Sequence, residues 1–405
     1  MEQLHFISEG TLFALLTFIT GYTLLLSLSG WIGYKSIIED NRIQIKRYNR
    51  IAILIPAYKE DSVIEKVATH MKQLDYPKKT YDVFVIADSM KESTIKKISK
   101  QVEVIEVSFD NSTKSNSLNY ALNKIEEHYD IAIISDGDNI LDESFLKKIN
   151  RAYNLGAKAI QGHRIAKNTN TKMAVLDAAS EEINNHIYRR GLNGLGLSSA
   201  IIGSGMAFDF TLLKRLMQNN HAVGGFDKIL QLELLENRVK IEYIHEAIIY
   251  DEKVETIRSF QNQRKRWISA QIKYLIRNFS KGWKQLYIGN FDYFNISVIC
   301  GIMPPRAFLV ALFLLIVIIV MIFPQSTLIG STYWAGLTFS YVMALIICIP
   351  RMIVHPSFLL ALLYLPATLI NMILALLKIK KADEKFIHTE HSNSTISNVF
   401  HKNGS

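Results

Sequence analysis

Charge is missing from the chain between Thr11 and Tyr34. As a helix rising about 1.5 Å per residue, that stretch is long enough to cross about 30 Å of hydrocarbon. A cleaved signal peptide fits less well, because Glu2 and Glu9 stand where Lys or Arg would precede it and the apolar run is too long. Lys35, Arg42, Lys46, Arg47 and Arg50 follow, and by the positive-inside rule they place the next domain on the cytoplasmic side. Three more apolar stretches lie at 307–323, 333–349 and 357–377, broken by Pro324-Gln325-Ser326 and by Pro350-Arg351 with His355-Pro356. Simple alternation puts Arg306 and Arg351 inside but leaves Lys378, Lys380 and Lys381 outside, against the charge rule. The last stretch is therefore expected to be a hairpin or re-entrant segment around Pro366. The tail, rich in Ser, Asn and His, has the composition of a disordered segment.

Between the apolar ends the pattern changes to short runs rich in Ile and Val, at 51–56, 81–87, 102–107 and 131–135. These read as buried parallel strands. Amphipathic stretches at 62–74, 115–125 and 143–155 alternate with them and read as helices. Strand and helix in alternation predict an α/β fold, a doubly wound and mostly parallel sheet set between N-terminal and C-terminal transmembrane helices. The predicted layout is an N-terminal span at 1–36, a cytoplasmic domain at 37–284, a membrane region of about three spans at 285–381 and a tail at 382–405.

Composition narrows the chemistry. A net charge of +9 has no basic run with interleaved aromatics, and many cations sit beside apolar segments, so a nucleic-acid partner is not expected and membrane lipids are. The two cysteines, Cys300 and Cys348, lie in apolar surroundings without metal or redox spacing, and none of the eleven histidines forms a zinc-ligand pair.

In doubly wound sheets, ligands bind beyond the carboxyl ends of the strands. Pro56-Ala57-Tyr58-Lys59-Glu60 follows the first run, Asp88-Ser89 the second and Asp136-Gly137-Asp138-Asn139 the fourth, so carboxylates gather along one edge. Neither dinucleotide-binding nor P-loop glycine patterns are present. Asp136 and Asp138 alternate at a strand end, where a short loop can turn both toward one oxygen-seeking cation, Mg2+ or Mn2+. Such an ion neutralises a departing diphosphate. Two aspartates at this spacing also arise in ordinary solvated turns, and only the preceding buried strand distinguishes them.

The order Pro56-Ala57-Tyr58-Lys59-Glu60, Asp88, Lys114, Asp136-Gly137-Asp138 and Gln263-Arg264-Lys265-Arg266-Trp267 resembles the processive membrane members of glycosyltransferase family 2. That group includes cellulose, chitin and hyaluronan synthases and the nodulation chitooligosaccharide synthases, and the resemblance covers 51–267. It implies a GT-A-like, nucleotide-sugar-binding domain. Tyr58 and Glu60 would border base and ribose, Asp88 would accept from the uracil imide, and Lys114 would lie near the diphosphate. Asp136 would contact nucleotide and metal, with Asp138 the stronger metal ligand. Asp227, counted back from Leu234-Leu235-Glu236, aligns with the catalytic base, although Phe226 replaces the acid that usually precedes it. As an alternative, Asp227 caps a helix over 228–237.

A helix over 255–279 puts Gln263, Arg266 and Trp267 on one face, where the family closes over diphosphate and acceptor. The competing reading is a membrane-surface helix with snorkelling cations. Gly203-Ser204-Gly205 offers a small-residue acceptor loop, and Tyr250-Asp251-Glu252 matches a family element with a supporting role. The resulting expectation is an inverting transferase moving a sugar from a nucleotide diphosphate sugar, with UDP favoured by the resemblance, onto a growing β-linked glycan. An oligomer or export partner would complete a channel. The alternatives are a non-processive enzyme acting on a lipid acceptor, and a catalytically silent membrane scaffold.

Overall fold

The run 51–56 begins a strand whose alternate side chains serve two different cores. Ile51, Ile53 and Ile55 of β1 (Ile51–Tyr58) pack on one face of the sheet, while Ala52 and Leu54 pack on the other. This two-sided burial is why the run is continuously apolar rather than alternating. The structure, a computed structural model, describes residues 2–39, 47–218, 220, 222, 224–350 and 356–364. The predicted hairpin around Pro366 and the tail at 382–405 lie outside the described residues.

The other strands are β2 (Tyr81–Asp88), β3 (Glu103–Val107), β4 (Ile131–Ile134), β5 (Ile140–Leu141), β6 (Ala159–Ala166), β7 (Met206–Asp209) and β8 (Ile241–Asp251). They form one sheet in the order β3-β2-β1-β4-β7-β6-β8-β5. β1, β2, β3 and β4 are mutually parallel, and β6 and β8 run the same way, whereas β7 and β5 oppose them. The sheet is thus mixed, the reversal entering where β7 is wedged between β4 and β6. The helices Ile64–Met71 and Phe145–Asn154 cover one face, and Lys114–Lys124, Phe210–Met217 and Phe226–Glu236 the other.

Register brings the carboxyl ends level. Tyr58 is the partner of Asp88 across β1 and β2, and Ala166 is the partner of Asp251 across β6 and β8. Lys59 and Ser89, immediately after two of these ends, hold φ values of 57° and 55°. Positive φ is costly for residues with a Cβ and collects at functional turns.

The N-terminal helix Glu2–Ile32 contains a stretch long and apolar enough to cross a membrane, over Ile7–Ile32. It meets the polypeptide after the helix Lys172–Asn184 at very short range. A Cβ on Gly191 would come within 2.4 Å of the Leu26 carbonyl oxygen, and one on Gly194 within 2.4 Å of that of Ser29. Only glycine lets the two backbones touch, and the Ser29 hydroxyl seals the contact by donating to the Gly191 carbonyl at 3.0 Å. Arg306–Ile322 and Ser331–Ile347 pack on the same helix through Leu16, Phe313, Trp334 and Tyr341. Phe291–Ile302 and Arg306–Ile322 qualify as a span only together, bent by 51°. Leu314, Leu315, Ile318, Ile319 and Phe339 turn outward, as do Leu15, Phe18 and Leu25. This is more contiguous apolar surface than a water-facing protein usually carries.

Candidate active site

Elements that end at the carboxyl edge deliver their polar groups to a single cavity of about 1320 Å³. Tyr58 and Glu60 come from the end of β1, Asp88 from β2, and Asp136 and Asp138 from the turn after β4. Lys114, Gly203 and Asp227 line it from the side, and Gln263, Arg266 and Trp267 from the helix above.

Asp88 is 1% exposed, with one carboxylate oxygen taking the Ser89 hydroxyl at 2.9 Å and the other buried without a partner. A buried acceptor left open toward a cavity is costly unless a ligand donor completes it. Lys114 opens the helix Lys114–Lys124, whose start is fixed by Thr113 accepting from the Asn116 amide at 3.1 Å. Its ammonium donates to Asp136 and, at 2.6 Å, to the Gly203 carbonyl oxygen, and it lies 5.1 Å from the centroid of Phe226. The departure at Phe226 therefore has a physical role, since the ring is a buried plate beneath the lysine charge.

Asp138 is 4% exposed, and its carboxylate takes the Asn139 amide at 3.3 Å. Asn139 also donates to Asp251 at 3.0 Å, and the buried Lys167 ammonium donates to the Asp138 carbonyl oxygen at 2.7 Å. The turn bearing the two aspartates is thereby tied to the ends of β6 and β8.

Of the three residues in the small-residue loop, only Gly203 reaches the cavity wall. Ser204 is fully buried, its hydroxyl accepting the Asp136 amide at 3.0 Å, so it supports the aspartate turn from behind. Gly205 lies under β6, where its carbonyl oxygen takes the Gly162 amide at 2.8 Å. A contact from Ser204 or Gly205 to an acceptor does not match these placements.

Asp227 sits in the first turn of Phe226–Glu236, and the cap of that helix is Gly225, at φ 68°. The aspartate is therefore not the cap. Its carboxylate is close to the Gly203 loop, since a Cβ built on Gly203 would lie 4.0 Å from its Oδ2.

The helix predicted over 255–279 spans Ile257–Tyr287, starting where Thr256 accepts from the Ser259 amide at 3.2 Å. It is pinned at three places along its length. Arg264 donates to Asp177 at 2.5 Å, Gln271 to the Met303 carbonyl oxygen at 2.9 Å, and the Tyr274 hydroxyl to the Gly224 carbonyl oxygen at 2.8 Å. The last of these couples the helix to the Asp227 turn. Trp267 remains 40% exposed, and Arg264 lies 4.6 Å from its ring centroid. The Gln263 amide oxygen is buried without a hydrogen-bond partner, and burial lowers the Arg266 guanidinium from its ordinary pKa.

Sequence reasoning missed a buried ionic cluster on the same wall. Arg164 of β6 donates to Glu181 at 3.0 Å, Arg189 approaches Glu181 at 3.2 Å, and Lys253 pairs with Asp251 at 2.8 Å. Burial alone would raise the Glu181 carboxyl, yet Arg164, Lys253 and Arg189 hold it well below the usual carboxylate range. Asp251 is likewise held low, by Lys253 and Arg164 against the effect of burial. The available signal was Tyr250-Asp251-Glu252 with Lys253 beside it, because Arg164, Glu181 and Arg189 come from distant parts of the chain.

A family model described as glycosyltransferase-like family 2 matches residues 49–270. No curated protein gives a significant match. Among solved structures, the mannosyltransferase PcManGT from Pyrobaculum calidifontis, in complex with GDP-Man and Mn2+, is similar with a TM-score of 0.52 and 15% identity. That match covers 90% of this chain and 100% of the other. Glucosyl-3-phosphoglycerate synthase from Mycobacterium tuberculosis, in complex with Mn2+, UDP and glucosyl-3-phosphoglycerate, gives a TM-score of 0.38 at 15% identity, covering 56% of this chain and 82% of that one.

Proposed function

Because the chain belongs to the glycosyltransferase-like family 2 and is a glycosyltransferase, we propose that it moves a sugar from a nucleotide diphosphate sugar onto an acceptor hydroxyl at a membrane face, with inversion. The observation that carries this reading is that Asp138, Asp227 and Trp267 line one cavity. Its remaining wall continues into the apolar helices through Val310, Val342 and Ile346. The growing β-linked glycan is the acceptor favoured by the Gln263, Arg266 and Trp267 signature. A lipid acceptor is the second reading, favoured by the apolar end of the cavity. The apolar helix Ile7–Ile32 and the outward apolar faces beside it support an integral membrane protein, and the cations that follow the helix, Lys35, Arg47 and Arg50 among them, support a catalytic domain on the cytoplasmic side.

The donor set suits a hard divalent ion. Mg2+ takes one or two carboxylates and completes its shell with substrate phosphates and water. Asp136 and Asp138 supply those two carboxylates, and among the described residues no cluster of three ligands exists that would bind a metal by itself. Mg2+ or Mn2+ held by this pair would neutralise charge on the diphosphate. The occurrence of Mn2+ with GDP-Man in the Pyrobaculum calidifontis structure agrees with this assignment.

The chain's own residues do the rest. Asp88 accepts from the base, and Tyr58 and Glu60 flank the nucleoside. UDP is the donor nucleotide favoured by the family resemblance. Lys114, Gln263 and Arg266 donate to diphosphate oxygens, an ammonium, an amide and a guanidinium fork replacing water around the leaving group. Trp267 presents a flat face on which the acceptor sugar stacks. Asp227 takes the hydroxyl proton as the acceptor oxygen bonds to the anomeric carbon and the carbon–oxygen bond to the diphosphate breaks. Incubating purified full-length protein with UDP-hexoses and Mn2+, then separating lipid-bound from polymeric product, tests the reading. No nucleoside diphosphate release with any donor contradicts it.

A further inference from the structure

Two carboxylates at a two-residue spacing repel each other, so a pair that shares one cation needs donors that fix where each points. Asp138 has that support from one side chain. Asn139 is fully buried and does not line the cavity. Its backbone amide donates to the Asp136 carbonyl oxygen at 3.1 Å and closes the turn. Its side-chain Nδ2 donates to Asp138 Oδ1 at 3.3 Å and to Asp251 Oδ1 at 3.0 Å, while its Oδ1 accepts from the Ser204 hydroxyl.

The direction of every bond in this chain is fixed by what stands at its ends. Ser204 Oγ accepts the Asp136 backbone amide at 3.0 Å, so its own proton goes to Asn139 Oδ1. That leaves Nδ2 facing two carboxylates, and a flipped amide would set its oxygen against both. A primary amide is the side-chain group that offers an acceptor and two donors from one small plane. The far end is anchored as well. Asp251 is paired with Lys253 at 2.8 Å and lies 3.9 Å from Arg164, and Lys167 holds the Asp138 carbonyl oxygen at 2.7 Å.

We propose that Asn139 is the positioning residue of the metal site, presenting the Asp138 carboxylate in one orientation, with Ser204 holding the amide in place. The inference rests on the assignment of the divalent ion to Asp136 and Asp138 under the proposed function. It goes further in making metal affinity and metal choice depend on a residue outside the cavity. Among the described residues no third His, Cys, Asp or Glu joins the pair, so the protein's share of the shell is these two carboxylates and their orientation. Mg2+ demands near-ideal octahedral geometry, which an oriented pair supplies, whereas Ca2+ accepts irregular shells. Loosening Asp138 therefore costs the stricter ion more.

The test follows Mn2+ binding to the full-length protein in detergent with UDP present, by electron paramagnetic resonance, with Mg2+ and Ca2+ as displacing ions. Asn139→Leu keeps the branched shape and removes every side-chain hydrogen bond. It is expected to weaken Mn2+ binding about 10- to 100-fold while cooperative thermal unfolding is retained. Mg2+ is expected to lose about three-fold or more affinity beyond the loss for Ca2+, a split that a purely structural residue would not produce. Unchanged Mn2+ affinity in N139L overturns the proposal, and so does an equal loss for Mg2+ and Ca2+. Should N139L no longer unfold cooperatively, S204A replaces it, removing the hydroxyl that orients the amide and leaving Asn139 intact. A fall of about three-fold or more in Mn2+ affinity in S204A supports the positioning role, and unchanged affinity overturns it. Wild type that binds no Mn2+ overturns the metal assignment itself, whereas wild-type binding that survives intact in the variants removes only the role of Asn139.

Discussion

Asp138 and Trp267 line the same cavity, one from the turn after β4 and the other from the helix Ile257–Tyr287. The ionic cluster around Glu181 and Asp251 lines this cavity too, and Asn139 joins Asp138 to that cluster through Asp251. Loss of any member is therefore expected to be felt at both ends of the site.

Asp227 lies against the Gly203 loop, its Oδ2 4.0 Å from where a Cβ on Gly203 would stand. Asp227→Asn removes the proton acceptor and little volume. Transfer to the acceptor is expected to slow by about 10²–10⁴ with nucleotide affinity kept. Stopped-time assays of nucleoside diphosphate release, beside a UDP titration, separate the two.

Lys114 holds Asp136 and the Gly203 carbonyl oxygen over the Phe226 ring. Lys114→Met keeps the stem and removes the charge. Donor affinity is expected to fall about 10- to 100-fold, the value of a charge-assisted bond to a diphosphate oxygen. Calorimetric titration with UDP measures it.

Arg264 pairs with the buried Asp177 and stacks on Trp267. Arg264→Ala leaves Asp177 buried and alone, a loss of about 3–5 kcal/mol. Arg264→Lys keeps a charge but not the plate, and is expected to recover stability more than acceptor affinity. Thermal unfolding in detergent and the acceptor KM check the two halves of this expectation.

Acid is expected to loosen the same wall. Glu181 and Asp251 are held below their unfolded carboxyl values, so their contribution is complete above about pH 4 and drains away as the pH falls through the lower folded values. Melting temperatures should fall between about pH 4 and pH 2, with no gain in going from pH 5 to 7 attributable to this cluster. A melting temperature flat down to pH 2 contradicts the assignment.

The legible part of the fold is the part whose burial is apolar. β1, β2 and β4 stand out as Ile- and Val-rich runs, and the chemistry after them is found by reading one or two residues further. β6, with the sequence AIQGHRIA, is buried at every position, yet it carries Gln161, His163 and Arg164. Those polar groups are tolerated only because Ser204, Glu182 and Glu181 satisfy them from remote segments, and no local pattern announces such partners. The long helix is legible from its periodicity but runs on to Tyr287, because Phe279, Trp283 and Tyr287 continue an outward apolar stripe past Phe279. Ser204 looked like a wall residue for want of any sign that its hydroxyl is taken by the Asp136 amide.

The most direct test of the shared site is nucleoside diphosphate release from a UDP-hexose by the full-length enzyme as Mn2+ is titrated, wild type beside Asp138→Asn. A metal-dependent rate in the wild type that drops about 10²-fold or more in the variant is the predicted result. Release that ignores the metal, or that survives intact in Asp138→Asn, would contradict the account.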